Sequence, residues 1–140
     1  MEVLQKKELI DLRVANDKDF NFIKSTWLHG LRYGNSWFTI IPKEIYYAAY
    51  SKVVEYLMMS PKTMIKVACL KEDPEVILGY SVYNQDNSAA HWVYVKSAWR
   101  KIGIAKALVP VEVTTVTHLT NVGKEISKTK GFTFNPFLIK

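Results

Sequence analysis

The segment WRKIGIAKAL (99–108) sets Arg100, Lys101 and Lys106 around Gly103, where an apolar run, HWVYV (91–95), gives way to helix-forming residues. Charge preference at a helix start runs toward Asp and Glu, because the local dipole is already positive. Cations in that place either point into water or share an anion. Unpaired first-turn amides, a glycine that admits close backbone approach and long cationic side chains together make a site for a phosphate or diphosphate. Other reactive side chains are sparse. The three histidines (His29, His91, His118) and the single cysteine lack metal-ligand spacing, so no metal site is expected. Cys69 reads as a small core residue on a strand rather than a nucleophile. Asp86 reads as a turn former, and Lys124, Lys128 and Lys130 as the solvated face of a helix or as contacts to a phosphate.

The chain of 140 residues suits one domain with a real core. A hydrophobic content of 49% and an aromatic content of 13% exclude a disordered polymer. No apolar run is long enough to span a membrane, and the charged start MEVLQKKELIDLR has no signal-peptide core. One cysteine cannot form an internal disulfide, which fits a cytoplasmic location. A net charge of +6, from 19 basic and 13 acidic side chains, favours an anionic ligand without choosing one.

These groups need elements to position them. Leu9–Val14 alternates as a strand, and Asn16 or Asp17 caps a helix through about His29. Gly30–Ile41, with two glycines and several aromatics, reads as a structured loop. Pro42 opens a second helix with Ile45, Ala49, Val53, Tyr56 and Leu57 on its apolar stripe. Three meandering strands follow at 64–70, 76–83 and 89–95, separated by the polar turns KEDPE and NQDNS. A helix is expected over about Lys101–Val111, then a β-branched strand at 111–119. A short helix capped by Asn121 and stopped by Gly131 precedes a last alternating strand at 132–139. The order β-α-α-β-β-β-α-β-α-β implies an α/β fold: a mixed, mostly antiparallel sheet of about six strands with helices on both faces.

A strand ending VYV, the four residues KSAW, and RKIGIA opening a helix resemble the acyl-CoA-binding signature of the GNAT superfamily of N-acyltransferases. The element order resembles that superfamily's fold over essentially the whole chain. The spacing of Asn121 to Gly131-Phe132 is similar to the family's penultimate helix running into its last strand. The resemblance implies a bound acyl-CoA, usually acetyl-CoA, as co-substrate. Its diphosphate would lie on Lys101, Ile102, Gly103, Ile104, Ala105 and Lys106, with help from Arg100 and with Asn121 also on the cofactor side. Its pantetheine arm would pair like an added strand with Val93, Tyr94 and Val95. A backbone N–H near Tyr94 would polarise the thioester carbonyl, as an oxyanion hole does.

The chain departs from the family pattern in two places, the phosphate loop and the penultimate helix. Lys101, Ile102 and Ala105 stand where many members carry glycine or a small residue. Ser127 stands where the family's thiolate-protonating tyrosine is usual, and a serine hydroxyl is a shorter and weaker acid. Other phenols, Tyr94 or Tyr33, are alternatives for that proton. An amine acceptor must lose a proton, directly or through water, and His91 and Glu112 are candidate bases. His29, Arg32 and Tyr33 lie in the region that forms one wall of the family's acceptor site. Each also has a plainer reading, as a packed strand histidine, a solvated carboxylate or an aromatic cover over the sheet. His118 reads as a strand residue.

Three functions stay open. The first is acetyl transfer from acetyl-CoA to the primary amine of a small molecule or protein, by direct attack. The second is a degenerate module that binds CoA or a protein partner without turnover. The third, a basic nucleic-acid-binding domain, is disfavoured because the basic residues do not gather into one stripe. A last strand ending FLIK could pair between two copies in a homodimer.

Overall fold

A computed structural model of the chain describes residues 3–118, 120 and 131–139. A short helix that the sequence reading did not expect, α1 (Val3–Glu8), comes first, followed by β1 (Ile10–Val14). Asn16 then starts the first long helix by a capping box. Its side chain accepts from Lys18 N–H at 2.9 Å, and the Asp19 carboxylate accepts from Asn16 N–H at 2.8 Å. Arg13 donates two hydrogen bonds to that same carboxylate, at 2.7 and 2.9 Å. The buried Asp19 is thereby held ionised and its pKa lowered, chiefly by Arg13.

The helix itself, α2 (Phe20–Tyr33), runs past Gly30 into the region expected to be a loop. The reason is packing. A Cβ on Gly30 would stand 2.9 Å from Cζ2 of Trp92, so this glycine lets the helix close on a strand and does not stop it. Helix α3 (Ser36–Thr39) fills more of the expected loop, capped by the Asn35 side chain accepting from Trp37 N–H at 3.0 Å.

Pro42 precedes α4 (Lys43–Met59), as expected, but the buried stripe is turned. Tyr46, Val54, Leu57 and Met58 face inward, while Ile45 and Tyr56 are 59% and 58% exposed. Tyr46 can enter the core because its hydroxyl donates to Leu28 C=O at 2.7 Å, which satisfies the polar end of a large apolar ring.

Strands β2 (Thr63–Leu70), β3 (Ile77–Asn84) and β4 (Ala90–Val95) lie within a residue of their expected limits. Helix α5 (Ile104–Leu108) is shorter than expected because Pro110 forces Val109 into extended backbone, φ −106 and ψ 126. Among the described residues the β-branched run contributes only β5 (Thr115–Val116). The last strand is likewise reduced to β6 (Thr133–Phe134), since Asn135 and Pro136 start a helical turn, with the Asn135 side chain accepting from Phe137 N–H at 3.0 Å. The helix expected between Asn121 and Gly131 lies outside the described residues, Gly131 itself apart.

Strands β1 to β6 form one six-stranded sheet in sequence order. Pairs β1–β2, β2–β3 and β3–β4 are antiparallel, and β4–β5 and β5–β6 are parallel. Helices α2 and α4 cover one face over Ile23, Trp27, Leu31, Val54, Leu57 and Tyr80. Helix α5 covers the other, with Ile102, Ile104 and Leu108 packed on Ala68 and Leu78. Covered on both sides, the central strand β3 is buried from Ile77 to Tyr83, which explains its almost unbroken apolar run.

Candidate functional site

The site begins where the sheet comes apart. Strand β4 meets β5 at Ala90↔Val116 alone, supported by Thr117 N–H donating to Ala90 C=O at 3.0 Å. Beyond that point the outer edge of β4 has no strand partner among the described residues. One extra residue, His91, lies on β4 between the pairs Val82↔Trp92 and Tyr83↔Ala90, a bulge beside the opening.

Antiparallel pairing alternates, and one contact fixes the phase: Lys96 N–H donates to Leu78 C=O at 2.8 Å. In the register Tyr80↔Tyr94 and Gly79↔Val95, the backbone groups of Trp92 and Tyr94 therefore turn to β3. Those of Val93 and Val95 turn to the open edge. The Val95 carbonyl is there to receive the Arg100 Nε–H at 3.0 Å, which agrees with this phase. The outward amides near Tyr94 are thus those of Val93 and Val95.

The RKIGIA loop continues directly from this edge. Its alternation is clean: Ile102 and Ile104 are 7% and 5% exposed, whereas Lys101, Gly103, Ala105 and Lys106 face solvent. The two isoleucines anchor the loop in the core under α5, so they can offer a ligand backbone only. Lys101 and Gly103 both adopt left-handed backbone, φ 65 and φ 92. A Cβ on Gly103 would have nothing nearer than Lys7, whose Cε and Nζ lie 4.0 Å from its position. No local pattern in the sequence announces this contribution, because nothing there signals α1. Lys6 also reaches the loop, its Nζ donating to Ala98 C=O at 2.6 Å.

At the closed end of the opening, five side chains join in one chain, buried at His91 and Thr117 and partly buried at its ends. Asn84 Oδ1 stands 2.8 Å from His91 Nε2, and His91 Nδ1 stands 2.8 Å from Thr117 Oγ1. The same Thr117 oxygen is 2.9 Å from His118 Nδ1, and His118 Nε2 is 2.6 Å from the Tyr50 hydroxyl. With both imidazoles neutral, one assignment of protons satisfies every contact. Asn84 Oδ1 only accepts, so His91 Nε2–H donates to it and Thr117 O–H donates to His91 Nδ1. Thr117 then accepts from His118 Nδ1–H, and Tyr50 O–H donates to His118 Nε2.

Burial enforces the neutral state. Desolvation lowers His91 to about 4, and it lowers His118 to about 3 with the neighbouring His91 adding to the effect. The same cause pushes the Tyr50 phenol up to about 12. His91, 2% exposed and bonded at both nitrogens, faces this chain rather than a cleft. Nothing in the sequence separation of these five residues announces the chain.

The other expected residues are dispersed. His29 and Tyr33 are exposed on the last turns of α2, their rings 4.7 Å apart. Arg32 is turned inward, donating from Nη1 to Phe38 C=O at 3.1 Å and Ile41 C=O at 3.0 Å, and so fastens α3 to α2. Tyr94 packs against Phe22 and Tyr80 on the α2 face. Glu112 is exposed in the turn after Pro110, and Asp86 accepts from Ser88 N–H at 2.9 Å as a turn former does. Ser127 and Asn121 lie outside the described residues. A cleft of about 480 Å³ beside the start of α2, lined by Arg13, Phe22, Ile77 and Lys96 among others, contains none of the expected site residues. Among the described residues there is no group of three or more potential metal ligands and no helix long and apolar enough to cross a membrane.

No protein-family model and no curated protein sequence matches the chain. Solved structures do match in shape. The aminoglycoside N-acetyltransferase AAC(6')-Iy in complex with CoA superposes with a TM-score of 0.51 at 13% identity, over 88% of this chain and 87% of that one. The same enzyme with the bisubstrate analogue CoA-S-monomethyl-acetylneamine gives 0.50 at 13% identity, over 88% and 90%. A likeness at this identity is one of fold. The six-stranded sheet, its opening beyond Ala90–Val116 and this superposition together give the chain a GNAT-like fold.

Proposed function

We propose that the chain is an acetyl-CoA-dependent N-acetyltransferase acting on a primary amine. The observation that carries this reading is the edge of β4, which has no strand partner beyond Ala90 among the described residues, with the Val93 and Val95 amides directed outward and the Gly103 loop directly beyond it. An extended amide-bearing arm fits such an edge as an added strand, and a polyanion fits the cation-lined loop at its end. Acetyl-CoA supplies an acyl group already activated as a thioester. The Val93 amide is then the donor for the carbonyl oxygen, polarising it for attack by the amine nitrogen. Formation of the C–N bond and breakage of the C–S bond leave a thiolate, which takes up one proton relayed from solvent, while the amine gives up one proton. With His91 engaged at both nitrogens, that proton goes to solvent. Ser127, in the place of the family's tyrosine, is the candidate hydroxyl for the leaving sulfur.

The engagement of His91 also favours a second reading, a module that binds CoA without turnover. One experiment separates the two. Melting of the protein is followed with acetyl-CoA, CoA and ADP, and thiol release is then measured against a panel of amines. Ligand at about a hundredfold over its dissociation constant adds roughly 2.7 kcal/mol to stability. Absence of a shift with every CoA ester at millimolar concentration sinks both readings. A shift without thiol release on any amine leaves the second.

A further inference from the structure

Five cations lie in or beside the loop after β4, and they come from opposite ends of the chain. Arg100, Lys101 and Lys106 belong to the loop and α5, whereas Lys6 and Lys7 belong to the last turn of α1. Lys6 is committed locally: its Nζ donates to Ala98 C=O at 2.6 Å and stands 5.1 Å from the centre of the Trp99 ring. It fastens α1 to the loop. Lys7 is exposed, with its Cε and Nζ 4.0 Å from the Cβ position of Gly103. The ion pairs among the described residues, Arg13–Asp19, Lys18–Glu75 and Lys24–Glu55, involve none of the five. Like charges gathered in one place repel, and a ligand bearing two or more negative charges relieves them all at once.

We infer that the N-terminal helix is part of the ligand site: Lys6 latches α1 onto the loop, and Lys7 contacts the diphosphate of the acyl-CoA from the α1 side. The inference rests on the acyl-CoA reading above. Lys7 stands over Gly103, where the exposed backbone of the loop has no side chain in the way, so its partner is the diphosphate rather than the 3′-phosphate. Arg100 lends its Nε–H to Val95 C=O, which leaves Lys7 as a cation not engaged by the backbone.

The test compares the parent with Lys7→Ala, Lys7→Glu and Lys7→Arg by calorimetric titration with CoA, dephospho-CoA and pantetheine. Lys7 is exposed, so the unliganded melting temperature is expected to stay unchanged in all three. Lys7→Ala is expected to weaken CoA and dephospho-CoA alike by about tenfold, as one charge-assisted contact does. Lys7→Glu should weaken them further, Lys7→Arg should restore binding, and pantetheine should not discriminate. Equal affinity in parent and variants overturns the inference while leaving the CoA reading intact. A loss seen with CoA but not dephospho-CoA overturns the diphosphate assignment. A parent that binds no CoA ester overturns the reading itself, and if it binds a single-stranded oligonucleotide at low salt, the cation cluster belongs to a nucleic-acid backbone instead.

Discussion

Gly103 stands at φ 92 at the head of α5, and only Lys7, with Cε and Nζ at 4.0 Å, lies near the place a Cβ would take. Two consequences follow, and they separate folding from binding. An L side chain there adopts a left-handed conformation at a cost of about 1–2 kcal/mol, which a domain of this size tolerates. Its bulk, however, covers the exposed loop backbone, and a carboxylate there would repel a diphosphate. Gly103→Glu is therefore expected to fold, with far-UV dichroism like the parent's, and to show no melting shift with CoA. Gly103→Ala, with the strain but no charge, should keep part of the affinity. Binding of CoA to Gly103→Glu with parental affinity would place the phosphate loop elsewhere. The placing of Gly103 with Arg100, Lys101 and Lys106 at a strand–helix junction was legible in the sequence, whereas Lys7 was not, since no local pattern announced α1. Nor was Arg32. Its type suggested substrate recognition, but its guanidinium is occupied by the carbonyls of Phe38 and Ile41, contacts set by an α3 helix that no local pattern announced.

Elements show the same division between local and distant causes. The meander of β2, β3 and β4 was readable to within a residue, since alternation and turn residues are properties of neighbours in sequence. The helix α2 was misjudged at Gly30, whose reason for being glycine is a Trp92 ring 62 residues away. The run at 111–119 has the composition of a strand, yet among its described residues only Thr115 and Val116 adopt strand structure. Val113 packs inward against Tyr83 and Ala90, and Thr117 and His118 are committed to the buried chain. That chain joins β3, β4, the end of β5 and α4 where the sheet opens, so its central hydroxyl can be tested as a structural tie. Thr117→Val keeps the shape but removes the group that donates to His91 and accepts from His118. Two buried nitrogens then lose a partner, at about 1–3 kcal/mol each. Urea unfolding should show a loss of about 2–4 kcal/mol, with Thr117→Ser recovering most of it. A valine variant as stable as the parent would mean that the five side chains do not act as one network.

For the molecule as a whole, the two enclosed imidazoles set how stability responds to acid. An unfolded histidine titrates near pH 6.5, whereas desolvation lowers His91 to about 4 in the fold and lowers His118 to about 3. Between those limits the unfolded chain binds protons that the native chain refuses, and stability falls as pH falls. For the 2%-exposed His91 the difference amounts to roughly 3 kcal/mol between pH 6.5 and 4, and His118 acts in the same direction. Asp19 also favours the native state at neutral pH, because Arg13 lowers its pKa, but its share is lost only as pH drops below the ordinary aspartate range. The window from 6.5 to 4 thus belongs to the histidines. Net charge, already +6, rises in that window too, and its self-repulsion is suppressed by measuring at 0.5–1 M salt, where screening lengths are only about 3–4 Å. Under those conditions the urea midpoint of the parent should decline steadily from pH 7 to pH 4.5. In His118→Asn, which has one enclosed imidazole fewer, the decline should be shallower from a lower starting point. Nitrogen NMR should report His91 protonated at Nε2 and His118 at Nδ1 throughout the native range. A midpoint that is level between pH 7 and 5, or ring nitrogens that titrate near 6.5 in the folded protein, would show that the imidazoles are open to water and that the chain from Tyr50 to Asn84 does not close the sheet.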